Sequence, residues 1–356
     1  TRDSIRNAVI VSMAIGGSTN VLLHAPEIAR SAGYADFSDE IMSHEEFNYL
    51  SQHVVPVLVN VRPFGNYSMV DIDEKGGVQV IVKDLLDAGL LNGETTTCTG
   101  ETLAQQVDRL NPPAPDGIVI YAVKDPYKLT GGLRVLGGNL SPESSAVLKL
   151  AGVEGGLEDN MFVGNARVFD GERALLDSLE NEPNIFNDHD MIIVRYEGPS
   201  GAPGMPEMLD ATSRITTLCR EREIVVGLMT DARFSGGSVG LVIGHVGPEA
   251  ALGGKIALIE DGDEIVVDLN INELNCTELS DSVLLDKRKV AWEKIVESNG
   301  GTHPSVGVAD TRLLNRMRLS AVSAKLGAGM HPDRKLWVSA PRNPVRTSFV
   351  PSNKWR

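Results

Sequence analysis

The chain has 356 residues, 42% of them hydrophobic and 23% charged, a balance that supports one or two folded domains with a sizeable core. Its 33 Lys and Arg stand against 48 Asp and Glu, leaving a formal charge of −15 with only 5% aromatic residues. That excess of acid, with no long basic run, excludes a nucleic-acid-binding role, and a small anionic ligand would have to be held by local dipoles or a metal.

Residues 2–15 predict an amphipathic helix, because Ile5, Val9 and Met13 recur at helical spacing before Gly16-Gly17 breaks the pattern. Its apolar stretch, 8–15, is about half a membrane span, and it is followed by no cleavage motif, so neither a span nor a secretory signal is expected. Thr19-Asn20 open a second helix whose Leu22, Leu23, Ile28 and Ala29 are expected to face a core. The β-branched run 54–61 predicts a buried strand, with Pro56 placing it at an edge. Gly76-Gly77 then precede helical spacing in Val78, Ile81, Val82, Leu85 and Leu86, which Gly89 ends. Helices alternating with short strands predict an α/β section over 1–115.

Asn111-Pro112-Pro113-Ala114-Pro115-Asp116-Gly117 marks the expected domain boundary. Beyond it, short apolar runs recur at 118–123, 133–136, 167–169, 191–196, 224–229, 241–246, 256–259 and 265–269. The last two flank Asp261-Gly262-Asp263, a hairpin signal. Many short strands with helices only at 205–220 and 287–298 predict a β-rich, barrel-like or sandwich domain over 116–326. From Arg312 onward there are ten Lys and Arg and one acid, Asp333. A helix and a basic tail, 327–356, covering a subunit surface is the expectation there, with an anion-binding or docking arm as the alternative.

Cys98, Cys219 and Cys276 form no CxxC pair, and the seven histidines form no HxH or HxxxH pair. The cysteines therefore give neither a disulfide framework nor a zinc site, and they fit a reducing cytoplasm. The densest candidate chemistry is Thr230-Asp231-Ala232-Arg233-Phe234-Ser235-Gly236-Gly237-Ser238, with Gly244-His245-Val246-Gly247-Pro248-Glu249-Ala250 close behind. Glycine N–H groups at 236 and 237 can hold a carboxylate, Arg233 can add a bidentate contact, and Ser235 among such donors can become acidic enough to act as a base. A plain glycine turn capped by a serine is the competing reading. Glu207, in Gly198-Pro199-Ser200-Gly201-Ala202-Pro203-Gly204-Met205-Pro206-Glu207-Met208, reads either as an acid in the first turn of a helix or as a Mg²⁺ ligand. Ser18, Thr19 and Asn20 read first as caps.

Taken together and in order, GGSTN (16–20), Thr97-Cys98-Thr99-Gly100, Gly138-Asn139-Leu140-Ser141-Pro142, GPSGAPGMPEM, TDARFSGGS and GHVGPEAALGG resemble the dihydroxy-acid dehydratase and phosphogluconate dehydratase family from about Ile5 to Ile265. Small departures stand at Ala232, Ser238, Cys98 and Lys255, where the family usually has Gly, Thr, Val and Pro. The resemblance implies a remnant of an α/β N-terminal domain followed by a barrel-like, swivelling β/β/α domain. It implies a hydro-lyase that turns a 2,3-dihydroxy carboxylate into a 2-keto acid, with an iron–sulfur cluster as Lewis acid and Mg²⁺ orienting the substrate. By motif, Ser235 would take the C2 proton and Glu207 would bind Mg²⁺. Arg233, Gly236, Gly237, Ser18, Thr19 and Asn20 would surround the substrate. The family's cluster cysteines belong to an N-terminal stretch that precedes the GGSTN motif. The expectation is therefore a C-terminal fragment or one subunit of a split, oligomeric enzyme, inactive without a cluster-bearing half. A branched-chain biosynthetic substrate is expected, with a sugar-acid substrate or a catalytically silent binding subunit as alternatives.

Overall fold

The Thr1 hydroxyl accepts the Ser4 amide at 3.2 Å and so starts α1 (Arg2–Ala14), the first of seven α-helices that build the opening part of the chain. The computed structural model describes residues 1–149, 157–235, 240–307 and 311–331. After α1 come α2 (Asn20–Ser31), the short α3 (Phe37–Glu40) and α4 (His44–Tyr49), α5 (Met69–Glu74) and α6 (Val78–Asp87). A seventh helix, α7 (Leu103–Leu110), is closed at its start by reciprocal Thr102 and Gln105 bonds. In α2, Leu23 and Ala29 are buried as expected, but Ile28 is 58% exposed because it falls on the opposite face.

The run 54–61 is not a ladder strand. A π-turn occupies Leu50–Val54, and the residues after it are extended and make isolated bridges at Val57, Val59 and Val61. Val59 bridges to Ile120, and the Tyr121 amide donates to the Leu58 carbonyl at 2.7 Å, so the run 118–123 returns across the Pro-rich segment to the helical section. Leu58, Val59, Val119 and Ile120 are all buried in one core with Val9, Met13, Ile81 and Leu85.

The remainder is a sheet of eight strands: β1 (Leu133–Leu136), β2 (Ala146–Lys149), β3 (Met161–Asp170), β4 (Met191–Arg195), β5 (Gly227–Thr230), β6 (Leu241–Gly244), β7 (Glu264–Asp268) and β8 (Glu273–Cys276). Their spatial order is β1-β2-β6-β5-β4-β3-β7-β8. The four central strands β6, β5, β4 and β3 are parallel and the outer pairs antiparallel. The two edges nearly meet: the Gly137 amide donates to Asn272 O at 2.9 Å and the Leu274 amide to Gly137 O at 3.0 Å. The molecule is thus a mixed α/β structure with a barrel-like sheet. Among the described residues no helix is long and apolar enough to cross a membrane.

Period-two alternation explains why the central strands read as continuous apolar runs. Met191 and Ile193 of β4, Met229 of β5 and Leu241 and Ile243 of β6 point into the barrel core. Ile192, Val194, Leu228 and Val242 point outward, where α8 (Glu172–Asn181) and α9 (Leu209–Arg222) cover them. On β1 and β2, Leu133, Val135 and Val147 face the helical section instead.

The hairpin expected at 261–263 does not form, since 256–259 falls largely in a 3₁₀ turn, Lys255–Leu258, and β7 pairs with β3 and β8. Asp263 instead receives both terminal nitrogens of Arg288, at 2.5 and 2.9 Å. This nearly buried pair fastens α10 (Ser282–Ser298), a helix with no fully buried residue, to the barrel. The last helix is α11 (Arg312–Ser320), and most of the expected basic tail, 332–356, lies outside the described residues.

Among the described residues, backbone crowding is greatest at Gly254, where a Cβ would lie 1.6 Å from the Pro248 carbonyl oxygen. Gly254→Ala must displace that turn, and we expect it to destabilise the fold by about 2–3 kcal/mol. The change should appear in urea titration as a lower midpoint at unchanged slope.

Candidate active site

Strands β4, β5 and β6 are parallel neighbours, so the segments that leave their C-terminal ends all emerge on one rim of the sheet, the usual place for ligands in such sheets. β4 leads into the loop that carries Glu207, β5 into Arg233 and Ser235, and β6 into His245 and Glu249. Asp231, fully buried at the end of β5, ties the three together. Its carboxylate accepts the Tyr196 and Glu197 amides at 3.1 and 3.0 Å and the Ala250 amide at 2.9 Å. Burial, and then the nearby Glu249, push this carboxyl up to about 7. Glu249 in turn accepts the Ser200 and Gly201 amides at 2.9 Å, which pins the glycine–proline loop to the turn after β6. Tyr196 and Met205 in the segment after β4 and His245 in the segment after β6 take left-handed backbone conformations, with φ of 68°, 48° and 61°, so two of the three segments hold non-glycine residues in a costly state.

From the helical section, α2 presents its first residue to this rim. Asn20 Nδ2 donates to Glu207 Oε1 at 2.7 Å and to the Phe234 carbonyl at 3.2 Å. Arg233 Nη1 reaches the same Glu207 oxygen at 3.4 Å while its Nε donates to Met205 O at 2.5 Å. The backbones of Glu207 and Arg233 also form a parallel bridge. Four of the residues singled out from the sequence, Asn20, Glu207, Arg233 and Ser235, therefore meet on one rim, with half-buried Ser235 next to the anchored Phe234. Ser18 keeps the modest role of a cap, its Oγ accepting the Asn20 amide at 3.2 Å. Thr19 is buried, and its hydroxyl has no hydrogen-bond partner. Gly236, Gly237 and Ser238 lie outside the described residues.

Glu207 is not in the first turn of a helix, because α9 starts at Leu209. The helix-dipole reading of this carboxylate is thereby corrected: Asn20 and Arg233 hold it. A hard divalent cation takes oxygen ligands and commonly uses one or two carboxylates. The exposed Glu207 carboxylate, beside the buried and unpartnered Asn20 Oδ1, is a donor set that fits such an ion. The cysteines fit no iron–sulfur cluster. Cys98 is on an exposed turn, Cys219 on α9 and Cys276 buried in β8, and all three are free. Among the described residues, the one close group of three metal-ligating side chains, Asp263, Cys276 and Glu278, already has the Arg288 guanidinium on Asp263.

Two histidines join the cluster that sequence reasoning did not single out as site residues. Partial burial and then Arg233 lower the pKa of His24, while Glu207 acts in the opposite sense. His245 is 1% exposed, its Nε2 has no hydrogen-bond partner, and its pKa is pushed down to about 3 by burial, followed by His24 and Arg233. The signal for His245 was its position directly after an apolar strand in the GHVGPEA motif; His24, a turn into α2, had no such mark. A cavity of about 310 Å³ lies beside the cluster, with Leu23, His24, Pro203, Met205 and Arg233 in its wall.

The model of the dihydroxy-acid/6-phosphogluconate dehydratase N-terminal domain matches residues 1–106, and that of the C-terminal domain of the same family matches residues 118–328. The chain is 44% identical over 295 residues to a dihydroxy-acid dehydratase of an Arthrobacter species, covering 83% of this chain and 48% of that protein. It is 44% identical over 292 residues to one of Mycobacterium avium, covering 82% and 48%. A third, named dihydroxy-acid dehydratase 2, of Corynebacterium efficiens, is 45% identical over 289 residues, covering 81% and 48%. The chain spans about half the length of the curated relatives it matches.

His245 gives the site a pH signature. The unfolded chain takes up this proton near pH 6.5 and the folded chain only near 3, so the imidazole's contribution to stability is complete above 6.5 and is lost as the pH falls towards 3. In urea titrations the native chain should lose stability over that range more steeply than His245→Asn, by up to about 1.4 kcal/mol per pH unit. Asparagine tolerates the left-handed backbone, so the comparison isolates the titration.

Proposed function

The chain belongs to the dihydroxy-acid/6-phosphogluconate dehydratase family, and on that premise we propose that it carries the base-bearing part of a hydro-lyase that converts a 2,3-dihydroxy carboxylate to a 2-keto acid. The observation that supports this most is the meeting of Asn20, Glu207, Arg233 and the Ser235 loop on one rim, from three separate parts of the chain.

In this reading Ser235 Oγ takes the proton from C2 of the substrate. A hydroxyl is a weak base for a weakly acidic C–H, so the surroundings must favour its ionised form and the negative charge that develops on the substrate. Arg233 brings fixed positive charge within two residues of Ser235. Glu207 would hold Mg²⁺, which when bound stabilises negative charge on the substrate oxygens. Asn20 sets the distance between the two loops, since a single amide group holds both the Glu207 carboxylate and the Phe234 carbonyl. Ser18 and Thr19 are assigned to the substrate from the helical side, and the amides of Gly236 and Gly237 to its carboxylate. Ligands for the family's iron–sulfur cluster must come from outside this chain's three cysteines, on a cluster-bearing half or partner subunit. A short branched dihydroxy acid, of the kind used in branched-chain amino-acid biosynthesis, is favoured over a sugar acid because the matched relatives carry the name dihydroxy-acid dehydratase.

The test combines the chain anaerobically with Mg²⁺ and a cluster-bearing N-terminal portion of a relative, and follows 2-keto acid formation from a branched 2,3-dihydroxy acid. Ser235→Ala is expected to lower kcat by about a hundredfold or more, while Glu207→Gln should raise the Mg²⁺ concentration needed for half-maximal rate. Wild-type turnover in Ser235→Ala would end the assignment of the base. Asn20→Ala, which releases both loops at once, should lower kcat with little change in thermal stability.

A further inference from the structure

A second cavity, of about 200 Å³, lies between the C-terminal end of α1 and strands β1 and β2, and shares no lining residue with the cavity beside Arg233 and His24. Three cations line it: Lys128, Arg134 and Lys149. Among the described residues, none of those lining it is an acid. In a chain of net charge −15 this is an unusual concentration of positive charge around one space.

Arg134 is 9% exposed, and its Nη1 donates to Ser51 Oγ at 3.1 Å, Gly131 O at 3.1 Å and Leu133 O at 3.0 Å. All three acceptors are neutral, and burial alone lowers its pKa, to about 10. Lys149 is 2% exposed, and burial lowers it to about 8. Exposed Lys128 lies over the Phe64 ring, 5.1 Å from its centroid, at the margin of the same space. A guanidinium taken out of water against neutral acceptors only is expensive, and an anion in the adjoining space would offset that cost. The rest of the wall is apolar, formed by Met13, Val57, Phe64 and Leu133. The volume is far beyond the roughly 10–15 Å³ that admits one water. A bare oxyanion would leave that apolar wall unmatched, whereas an anion with a hydrocarbon body would cover it.

We propose that this cavity is a binding site for a small carboxylate with an aliphatic body, its carboxylate held by Arg134 and Lys128 and its body lying against Met13, Val57 and Leu133. The site is separate from the rim that carries Glu207 and Ser235 and stands whether or not the chain takes part in dehydration.

Isothermal titration of the chain with isovalerate at low ionic strength tests it, since this probe has the charge and the branched body but no hydroxyl to lose. One molecule is expected to bind per chain. Lys128→Met, at an exposed position where the fold is not at risk, should weaken it about tenfold, and Arg134→Met at least as much, provided its melting curve shows it folded. Isovaleramide, with the same body and no charge, and inorganic phosphate, with charge and no body, should each bind about tenfold more weakly. Arg233→Met, on the rim, should leave the affinity within about twofold. Unchanged affinity in Lys128→Met, a larger loss in Arg233→Met, or phosphate binding as tightly as isovalerate would each overturn the proposal.

Discussion

Asp231 is the point on which the site depends. One buried carboxylate at the end of β5 accepts two amides from the end of β4 and one from the turn after β6, so three segments that share no sequence neighbourhood are fixed to the same few ångströms. Parallel pairing of β4, β5 and β6 brings those loops to one rim, but pairing alone leaves each free to turn outward. The buried bonds remove that freedom, and they do so in a dry surrounding where an unmatched donor or acceptor costs about 1–3 kcal/mol. Glu249 repeats the device for the glycine–proline loop. The left-handed residues Tyr196, Met205 and His245 show the strain that the clamped loops carry.

The helical section reaches the rim through the start of α2. Asn20, at the start of α2, divides its amide between Glu207 and the Phe234 carbonyl, and the orientation of α2 is fixed by Leu23 and Ala29 in their packing. The candidate site is therefore a property of the join between the two parts of the chain. Burial keeps His245 uncharged there, and it holds a ring nitrogen without a partner beside Arg233, an arrangement that has a stability cost.

Charge is distributed in a way that composition hides. The chain is strongly acidic overall, yet Arg233 on the rim and Lys128, Arg134 and Lys149 around the second cavity make two local regions suited to anions. Both regions adjoin the Gly16–Asn20 turn: Gly16 and Gly17 line the cavity, and Asn20 reaches the rim. At Gly16 the chain has φ of +62° and a Cβ would fall 2.2 Å from Phe64, so only glycine allows the aromatic wall to come this close.

Much of this was legible in the sequence because it is local. The spacing of Val9 and Met13, the glycines that end α1 and α6, and the double-sided apolar runs of β4 to β6 follow from periodicity and turn chemistry, which act within a few residues. The motif order pointed to Ser235, Glu207, Arg233 and Asn20 as members of one site. What failed depended on partners far along the chain. The runs 54–61 and 256–259 have strand composition, but the neighbours they meet supply isolated bridges in one case and a tight 3₁₀ turn in the other. Glu207 read as the start of a helix because its preceding proline suits a first turn, whereas its pairing with Arg233 delays α9 to Leu209. Sequence alone thus determined which segments carry chemistry and which faces are apolar. Only the tertiary structure decided that three loop carboxylates, one amide and two histidines share a rim, because hydrogen bonds between residues 187 and 214 positions apart leave no periodic trace in the chain.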